Sequence, residues 1–215
     1  MRHNHKITFA YLLWLYLGWT VYVAYIYQNL ITYGAYGEII NELARFVIYV
    51  MPLFWILPKI EFPKFTDLGF HGDFIKNISI GIVVSIIFIA IAAPLTMLSK
   101  GMDIGVESIS VASIWVGLSF AVVVEEIVFR GYLLNSFLCY GKAKAVLVSS
   151  ILFLLIHFPG WWLLGTHSSL VGWITTSASI FILGVILSIL FLRFNSLWIC
   201  ILVHSANNLV AASVM

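Results

Sequence analysis

The chain has 215 residues, of which 62% are hydrophobic and 9% are charged, and its formal net charge is +2. A soluble domain usually carries roughly a quarter charged residues, so this composition excludes an ordinary water-soluble globule. No stretch of the sequence forms a basic nucleic-acid patch, and we expect no nucleic-acid partner. The lipid bilayer is the apolar solvent that remains, so the composition predicts an integral membrane protein.

Apolar runs recur along the whole chain. A transmembrane helix needs about 20 apolar residues, and this rule predicts an all-α, polytopic helical bundle of about seven spans in a single domain, residues 1–215. The first span follows a short basic N-terminus and has no cleavage site after it, so we expect it to be retained. The fourth is too long for a perpendicular crossing, so we expect it to be tilted, kinked or extended beyond the membrane. The predicted spans are 7–27, 43–57, 78–98, 109–138, 143–158, 170–192 and 197–214.

The distribution of Lys and Arg predicts the orientation of the bundle. Seven crossings that start with the N-terminus in the cytoplasm leave Arg45 and Lys100 toward the other side. The positive-inside rule therefore predicts an N-in, C-out topology. The remaining nine of the 11 basic residues fall on or near the cytoplasmic side: Arg2, Lys6, Lys59, Lys64, Lys76, Arg130, Lys142, Lys144 and Arg193.

Ionisable and amide side chains are rare inside the predicted spans. Such groups cost free energy in lipid unless they are paired or face water, so each one is a candidate functional residue. At 1.5 Å per residue, three different helices place these groups about 11 to 21 Å from the cytoplasmic ends of their spans. This predicts one shared polar layer, which we expect a substrate to reach from the cytoplasmic half. Its members are Glu125, Glu126, Arg130, His157, His204, Asn207 and Asn208.

Helical spacing divides the roles within this layer. Residues four apart share one face of a helix, whereas adjacent residues point about 100° apart. Glu126 and Arg130 are therefore expected to form a positioning ion pair. Glu125 points elsewhere and is expected to be a free carboxylate that acts as a general base. His204 and Asn208 are also four apart, and an amide beside an imidazole can stabilise an oxyanion.

Three motifs in the second half of the chain carry a resemblance to a known family. They are E-E-I-V-F-R-G at 125–131, F-L-L-I-H at 153–157 and H-S-A-N-N at 204–208. They resemble, in order, the E-E-x-x-F-R-G, F-x-x-x-H and H-x-x-x-N signatures of the CAAX prenyl protease and bacteriocin-processing (CPBP, or Abi) membrane family. The motif-bearing core is 109–214.

The resemblance implies an intramembrane endopeptidase with a water-filled cavity inside the bundle. It implies that Glu125 activates water, that His157 supports this water or the polarised carbonyl, and that His204 and Asn208 stabilise the oxyanion. The expected partners are the bilayer and a membrane-associated or lipid-anchored peptide or protein. The expected location is the plasma membrane of a bacterium. Roles in peptide maturation or bacteriocin self-immunity are implied by the small bacterial members of the family.

The metal dependence stays open at the level of sequence. The family's members are described both as metalloproteases and as glutamate proteases. Glu125, His157 and His204 are the candidate ligands for a zinc ion. The sequence has no H-E-x-x-H motif on one helix, so it requires no cofactor, and we expect a metal-free mechanism although zinc remains an alternative.

Two other functions are compatible with the sequence. The first is a non-catalytic membrane immunity or scaffold protein with the same fold. The second is a small transporter that relays protons or binds an ion. A transporter predicts an inverted repeat with broken helices in both halves, whereas here the polar residues are confined to the second half and Pro94 lies near a span end, so this function ranks last. The sequence assigns no role to His71 or His167, although His167 could flank the entrance of the site. It also identifies neither the substrate nor the oligomeric state.

Overall fold

The structure, a computed structural model, describes residues 5–56, 58, 68–100, 120–167 and 169–213. All regular elements in this part of the chain are helices, which confirms the predicted all-α class. The elements are α1 (His5–Tyr22), a π-helical turn (Val23–Tyr27), α2 (Gln28–Leu30), a 3-10 turn (Ile31–Tyr33), α3 (Ala35–Tyr49), α4 (Leu53–Ile56), α5 (Phe74–Lys100), α6 (Phe120–Glu126), a π-helical segment (Ile127–Leu134), α7 (Asn135–Phe137), a second 3-10 turn (Leu138–Tyr140), α8 (Lys142–Leu155), α9 (Phe158–Leu163), α10 (Leu170–Phe194) and α11 (Leu197–Ser213).

Most of the predicted spans correspond to helices of suitable length and composition. Five helical stretches in the described part of the chain are long and apolar enough to cross a membrane, and they overlap the predicted first, second, third, fifth and sixth spans. The seventh corresponds to the shorter apolar helix Leu197–Ala212. The number of crossings and the N-in orientation stay predictions. The five stretches are His5–Leu30, Tyr36–Ile56, Phe74–Thr96, Lys142–Leu163 and Leu170–Phe194.

The predicted fourth span is described only from residue 120, because residues 109–119 lie outside the described part. From Phe120 onward it is not a uniform α-helix, since α6 passes directly into the π-helical segment Ile127–Leu134. Every residue of this segment is buried. π-Helical turns are rare and often occur at functional sites. The hydroxyl of Ser149 on α8 donates to the Phe129 carbonyl at 2.8 Å, which fastens the segment to its neighbour.

Helices α1 and α8 start at the same end of the bundle. The Tyr140 hydroxyl, just before α8, lies 3.3 Å from Nδ1 of His5. At the other end, the Gln28 amide donates to the Leu163 carbonyl at 3.5 Å. We call the end with His5 and Lys142 the basic end and the end with Leu163 the opposite end.

Side-chain hydroxyls attach α1 to three other parts of the bundle. Tyr11 donates to the Tyr49 carbonyl of α3 at 2.6 Å, and Tyr16 donates to the Leu152 carbonyl of α8 at 2.5 Å. Thr8 lies within hydrogen-bond distance of the Tyr132 hydroxyl, at 3.1 Å. The N-terminal helix is therefore an integral part of the bundle.

Close packing around two glycines sets the positions of α10 and α11. A Cβ atom on Gly184 of α10 would lie 3.1 Å from Cβ of Ser150 on α8. A Cβ atom on Gly81 of α5 would lie 2.5 Å from a methyl carbon of Leu202 on α11. Helix α11 thus lies between α5 and α6 and carries its polar residues into the middle of the bundle.

The start of α11 is held at the basic end. The backbone N–H of Leu197 donates to the Gly69 carbonyl at 2.9 Å. Gly69 has a φ of +119°, a backbone conformation that residues with a side chain rarely adopt. The side-chain amide of Asn195 donates to Nε2 of His71 at 2.9 Å. His71, which had no predicted role, therefore contacts the α10–α11 turn.

Candidate active site

Two adjacent glutamates end α6, and both are buried. Because neighbouring helical residues point about 100° apart, the two carboxylates face different surroundings. Glu126 faces the packed interior between α6, α10 and α11, whereas Glu125 faces α3 and a cavity.

Glu126 lies in a fully buried ion pair. Nη1 of Arg130 contacts Oε1 of Glu126 at 2.9 Å, and both side chains have no exposed surface. Nη2 of Arg130 also donates to the Gly184 carbonyl at 3.4 Å, and the guanidinium lies 4.3 Å from the centre of the Phe153 ring. The ion pair predicted from the i, i+4 spacing is confirmed.

Glu126 also binds His204 of α11. Nδ1 of His204 lies 2.8 Å from Oε1 of Glu126. The carboxylate paired with Arg130 can only accept a hydrogen bond, so Nδ1 carries the proton. The other ring nitrogen, Nε2, then points toward Oε2 of Glu125, at 3.9 Å. This gap is too long for a direct hydrogen bond, but one water with two bonds of about 2.8 Å can contact both atoms.

Glu125 is not a free carboxylate, and that prediction is wrong. Nη1 of Arg45, on α3, contacts Oε1 of Glu125 at 2.6 Å. The Arg45 side chain keeps 18% of its surface exposed, and its guanidinium lies 4.9 Å from the centre of the Trp19 ring. An unpaired carboxylate in lipid is costly, and the structure meets this cost with a cation from a remote helix.

His157 occupies the break between α8 and α9. Pro159 has no N–H and cannot continue an α-helix, and the last turn of α8 tightens, so that the His157 backbone N–H donates to the Leu154 carbonyl at 3.1 Å. This leaves the Phe153 carbonyl for the imidazole, whose Nδ1 lies 2.8 Å away. A carbonyl only accepts, so Nδ1 is protonated and Nε2 of the neutral ring carries the lone pair.

A cavity of about 200 Å³ extends from this site to the surface. It runs from buried Glu125 and partly buried His157 to the exposed residues Leu164 and Thr166, which lie at the opposite end of the bundle. The cavity therefore opens away from the basic end, whereas the approach expected from the cytoplasmic half depends on the orientation in the membrane and stays a prediction. The described lining residues are Trp19, Val23, Tyr27, Asn41, Arg45, Tyr49, Glu125, Ile156, His157, Gly160, Trp161, Leu164 and Thr166.

The structure brings together most of the predicted site, but not Asn208. Glu125, Glu126, Arg130 and His204 form one connected network, and His157 lines the same cavity as Glu125. Asn208 accepts a hydrogen bond from the Asn207 amide at 3.3 Å and is not among the described lining residues. Its part in oxyanion stabilisation stays a prediction.

His167 lies beside the outer part of the cavity. Its ring centre is 5.2 Å from that of Trp161, a lining residue, and 5.4 Å from that of Trp173 on α10. Its position agrees with the predicted location near the entrance.

Sequence reasoning missed the contribution of α3 to the site. Asn41 and Arg45 are four apart on one face of α3, and both line the cavity. The Tyr22 hydroxyl donates to Oδ1 of Asn41 at 3.3 Å. The available signal was an arginine within the predicted second span, 43–57, with an amide one helical turn before it. The positive-inside count had placed this arginine toward the non-cytoplasmic side.

The described side chains form no preassembled three-ligand zinc site, and the metal dependence stays a prediction. No group of three His, Cys, Asp or Glu residues that could hold a metal is found in the part of the chain that the structure describes. The Arg45 guanidinium occupies Oε1 of Glu125. A metal at this place would sit directly beside a fixed positive charge, which disfavours its binding.

Comparison with known proteins agrees with the motifs. Residues 107–210 match a family model described as type II CAAX prenyl endopeptidase, Rce1-like. No curated protein and no solved structure matches the chain. The matched region contains Glu125, His157, His204 and Asn208, whereas Arg45 lies outside it. Over this region, just under half of the chain, the protein is similar to the Rce1-like type II CAAX prenyl endopeptidases, which supports the resemblance read from the sequence.

Proposed function

We propose that the protein is an intramembrane endopeptidase in which Glu125 activates a water molecule for attack on a peptide bond. The substrate class is a membrane-associated or lipid-anchored peptide. One observation carries the proposal: Glu125 and two histidines from remote parts of the chain meet in the interior, beside a cavity that reaches the surface.

The first step is the activation of water. A water held between Oε2 of Glu125 and Nε2 of His204 would lie within reach of a carboxylate that can accept its proton. His157 adds a second acceptor on the cavity wall, because its Nδ1 is bonded to the Phe153 carbonyl. The hydroxide that forms attacks the carbonyl carbon, and the proton stays on Glu125.

The second step is the stabilisation of the tetrahedral intermediate. Nε2 of His204 faces the position where the oxyanion develops, and it can donate to the oxyanion when the imidazole carries both protons, with Glu126 beside Nδ1 as the counter-ion. Asn208 is proposed as a further donor from the next turn of α11. Collapse of the intermediate breaks the C–N bond, and Glu125 returns its proton to the leaving amine. No step uses a metal ion.

The test is a cleavage assay on the purified full chain in lipid nanodiscs. The probes are fluorophore–quencher peptides, each prepared with and without a prenyl or acyl anchor. We expect Glu125→Gln to lower cleavage about 10²- to 10⁴-fold, the usual size of a general-base effect. The matched control is Glu38→Gln, which removes an exposed carboxylate of α3 and is expected to retain full activity.

Two outcomes contradict the proposal. Cleavage by Glu125→Gln at the wild-type rate would exclude Glu125 as the base. Loss of wild-type cleavage in the presence of a chelator, with recovery on addition of zinc, would require a metal-dependent mechanism. A wild-type protein that cuts none of the peptides, but retains a protective phenotype in cells, would favour the immunity or scaffold function.

A further inference from the structure

The cavity wall is divided between two parts of the chain. Glu125, His157 and the residues after His157 lie in the family-matched region, whereas Trp19, Asn41 and Arg45 lie before it. The N-terminal residues are therefore not assigned a role by the family match. Arg45 contacts the proposed base directly.

Arg45 is the strongest charge that faces Glu125. Among the described residues, it is the one permanent cation within ion-pair distance of that carboxylate. The other titratable groups that interact with Glu125 include His157, His204, Glu42 and Tyr49. The two histidines can be neutral, and Glu42, when ionised, carries the same charge as Glu125 and repels it. The ionised state of the proposed base thus depends mainly on Arg45.

The geometry of this pair leaves the base available. The contact joins a single nitrogen, Nη1, to a single oxygen, Oε1 of Glu125, at 2.6 Å. The second oxygen, Oε2, remains directed toward Nε2 of His204. A bidentate pair would have used both carboxylate oxygens, whereas this arrangement fixes one and presents the other to water.

The position of Arg45 is itself fixed. Its guanidinium lies against the Trp19 ring, at 4.9 Å from the ring centre. A cation over an indole face is attracted by the negative face of the ring. Helix α3 is in turn attached to α1 through the Tyr11–Tyr49 and Tyr22–Asn41 hydrogen bonds.

We propose that Arg45 is a positioning residue for catalysis: it keeps Glu125 ionised through Oε1 and holds Oε2 toward the attacking water. This inference rests on the proposed function, because it assigns to Arg45 a part in the activation of water by Glu125. It extends the active site to α3, outside the family-matched region.

The kinetic test compares three substitutions at one position. Arg45→Met removes the charge, Arg45→Gln keeps a hydrogen-bond donor without charge, and Arg45→Lys keeps the charge. We expect kcat to fall at least about 10²-fold for Met and Gln, with KM changed less than about threefold, and Lys to recover at least about tenfold. The control is Arg193→Met, which removes an exposed arginine at the end of α10.

A second readout does not need activity. Infrared spectroscopy at neutral pH should show a new protonated-carboxyl band in Arg45→Met that is absent from the wild type. The band should disappear in the double variant Arg45→Met/Glu125→Gln, which assigns it to Glu125. Circular dichroism of each variant reports whether it folds, and Arg45→Gln, which also removes the charge, replaces Arg45→Met if that variant does not fold.

The outcomes separate this inference from the proposed function. Full kcat in Arg45→Met and Arg45→Gln, while Glu125→Gln is inactive, overturns the role of Arg45 and leaves the protease proposal intact. Absence of the protonated-carboxyl band overturns it as well. If Glu125→Gln remains active, the protease mechanism fails, and the infrared band still decides whether Arg45 controls the ionisation of Glu125.

Discussion

The two glutamates at the end of α6 are neighbours in sequence but lie in different kinds of environment. Glu126 belongs to a sealed network, in which Arg130, His204 and the Gly184 carbonyl surround fully buried side chains. Glu125 belongs to an open one, in which a partly exposed Arg45 and a cavity provide its surroundings. The difference indicates that the first network orients groups, whereas the second exposes a reactive group to water.

The largest expected effect comes from breaking the sealed network. Arg130→Met leaves the Glu126 carboxylate without its cation in a site with no exposed surface. Removing one partner of a buried ion pair typically costs about 3–5 kcal/mol. Arg45→Met should cost less than this, because Glu125 borders the cavity and can take up a proton when its cation is removed. Denaturant titrations in bicelles measure both losses.

The double variant Arg130→Met/Glu126→Gln sharpens this comparison. It removes both charges together, so we expect it to recover a large part of the stability that Arg130→Met loses. Equal losses for Arg130→Met and Arg45→Met would contradict the distinction between a sealed and an open network.

A smaller effect is expected where α10 packs against the sealed side. In Gly184→Ala the new Cβ would lie 3.1 Å from Cβ and 3.2 Å from Cα of Ser150. Overpacking of this kind costs about 1–3 kcal/mol, and it should also disturb the contact from Arg130 to the Gly184 carbonyl. The same denaturant titration provides the measurement.

Gly160→Ala is the matched control on the open side. A Cβ atom at Gly160 would meet nothing within 4 Å, so this variant should be neutral or slightly stabilised. A larger loss for Gly160→Ala than for Gly184→Ala would show that the cavity wall is packed more tightly than the sealed side.

A single cysteine at the cavity mouth should leave stability almost unchanged, and its labelling reports on which side of the membrane the mouth lies. Thr166 is exposed at the opposite end of the bundle, whereas the native Cys139 is exposed near the basic end. With the predicted N-in orientation, a membrane-impermeant maleimide added to intact cells should label T166C in a cysteine-free background. It should not label Cys139 in a C200S variant. Labelling of Cys139 instead would place the cavity mouth in the cytoplasm.

Local features of the site could be predicted from the sequence. The Glu126–Arg130 pair follows from helical spacing within one element, and composition is enough to predict the helices. The meeting of Glu125 with His204 followed from a shared depth in separate helices. These inferences depend on helix geometry and on the bilayer, which are the same for every chain.

The remaining features depend on how particular helices pack. The partner of Glu125 lies 80 residues earlier in the sequence, and no local rule selects Arg45 from the other basic residues. The bond from His204 to Glu126 likewise depends on the close approach of α11 to α6. The expectation of an isolated base was wrong because the cation that pairs with Glu125 comes from a helix that is remote in sequence and close only in the folded bundle.

The hydroxyl groups of α1 have a consequence for how this protein can be divided. Thr8, Tyr11 and Tyr16 reach the π-helical segment, α3 and α8, so the N-terminal helix joins recognisable and unrecognised parts of the chain. A fragment that starts at residue 107, where the family-matched region begins, would keep every motif but would lose Trp19, Asn41 and Arg45 from the wall of the cavity. We expect this fragment to be inactive alone and to regain activity when it is co-expressed with residues 1–106, because the residues outside the motifs complete the site.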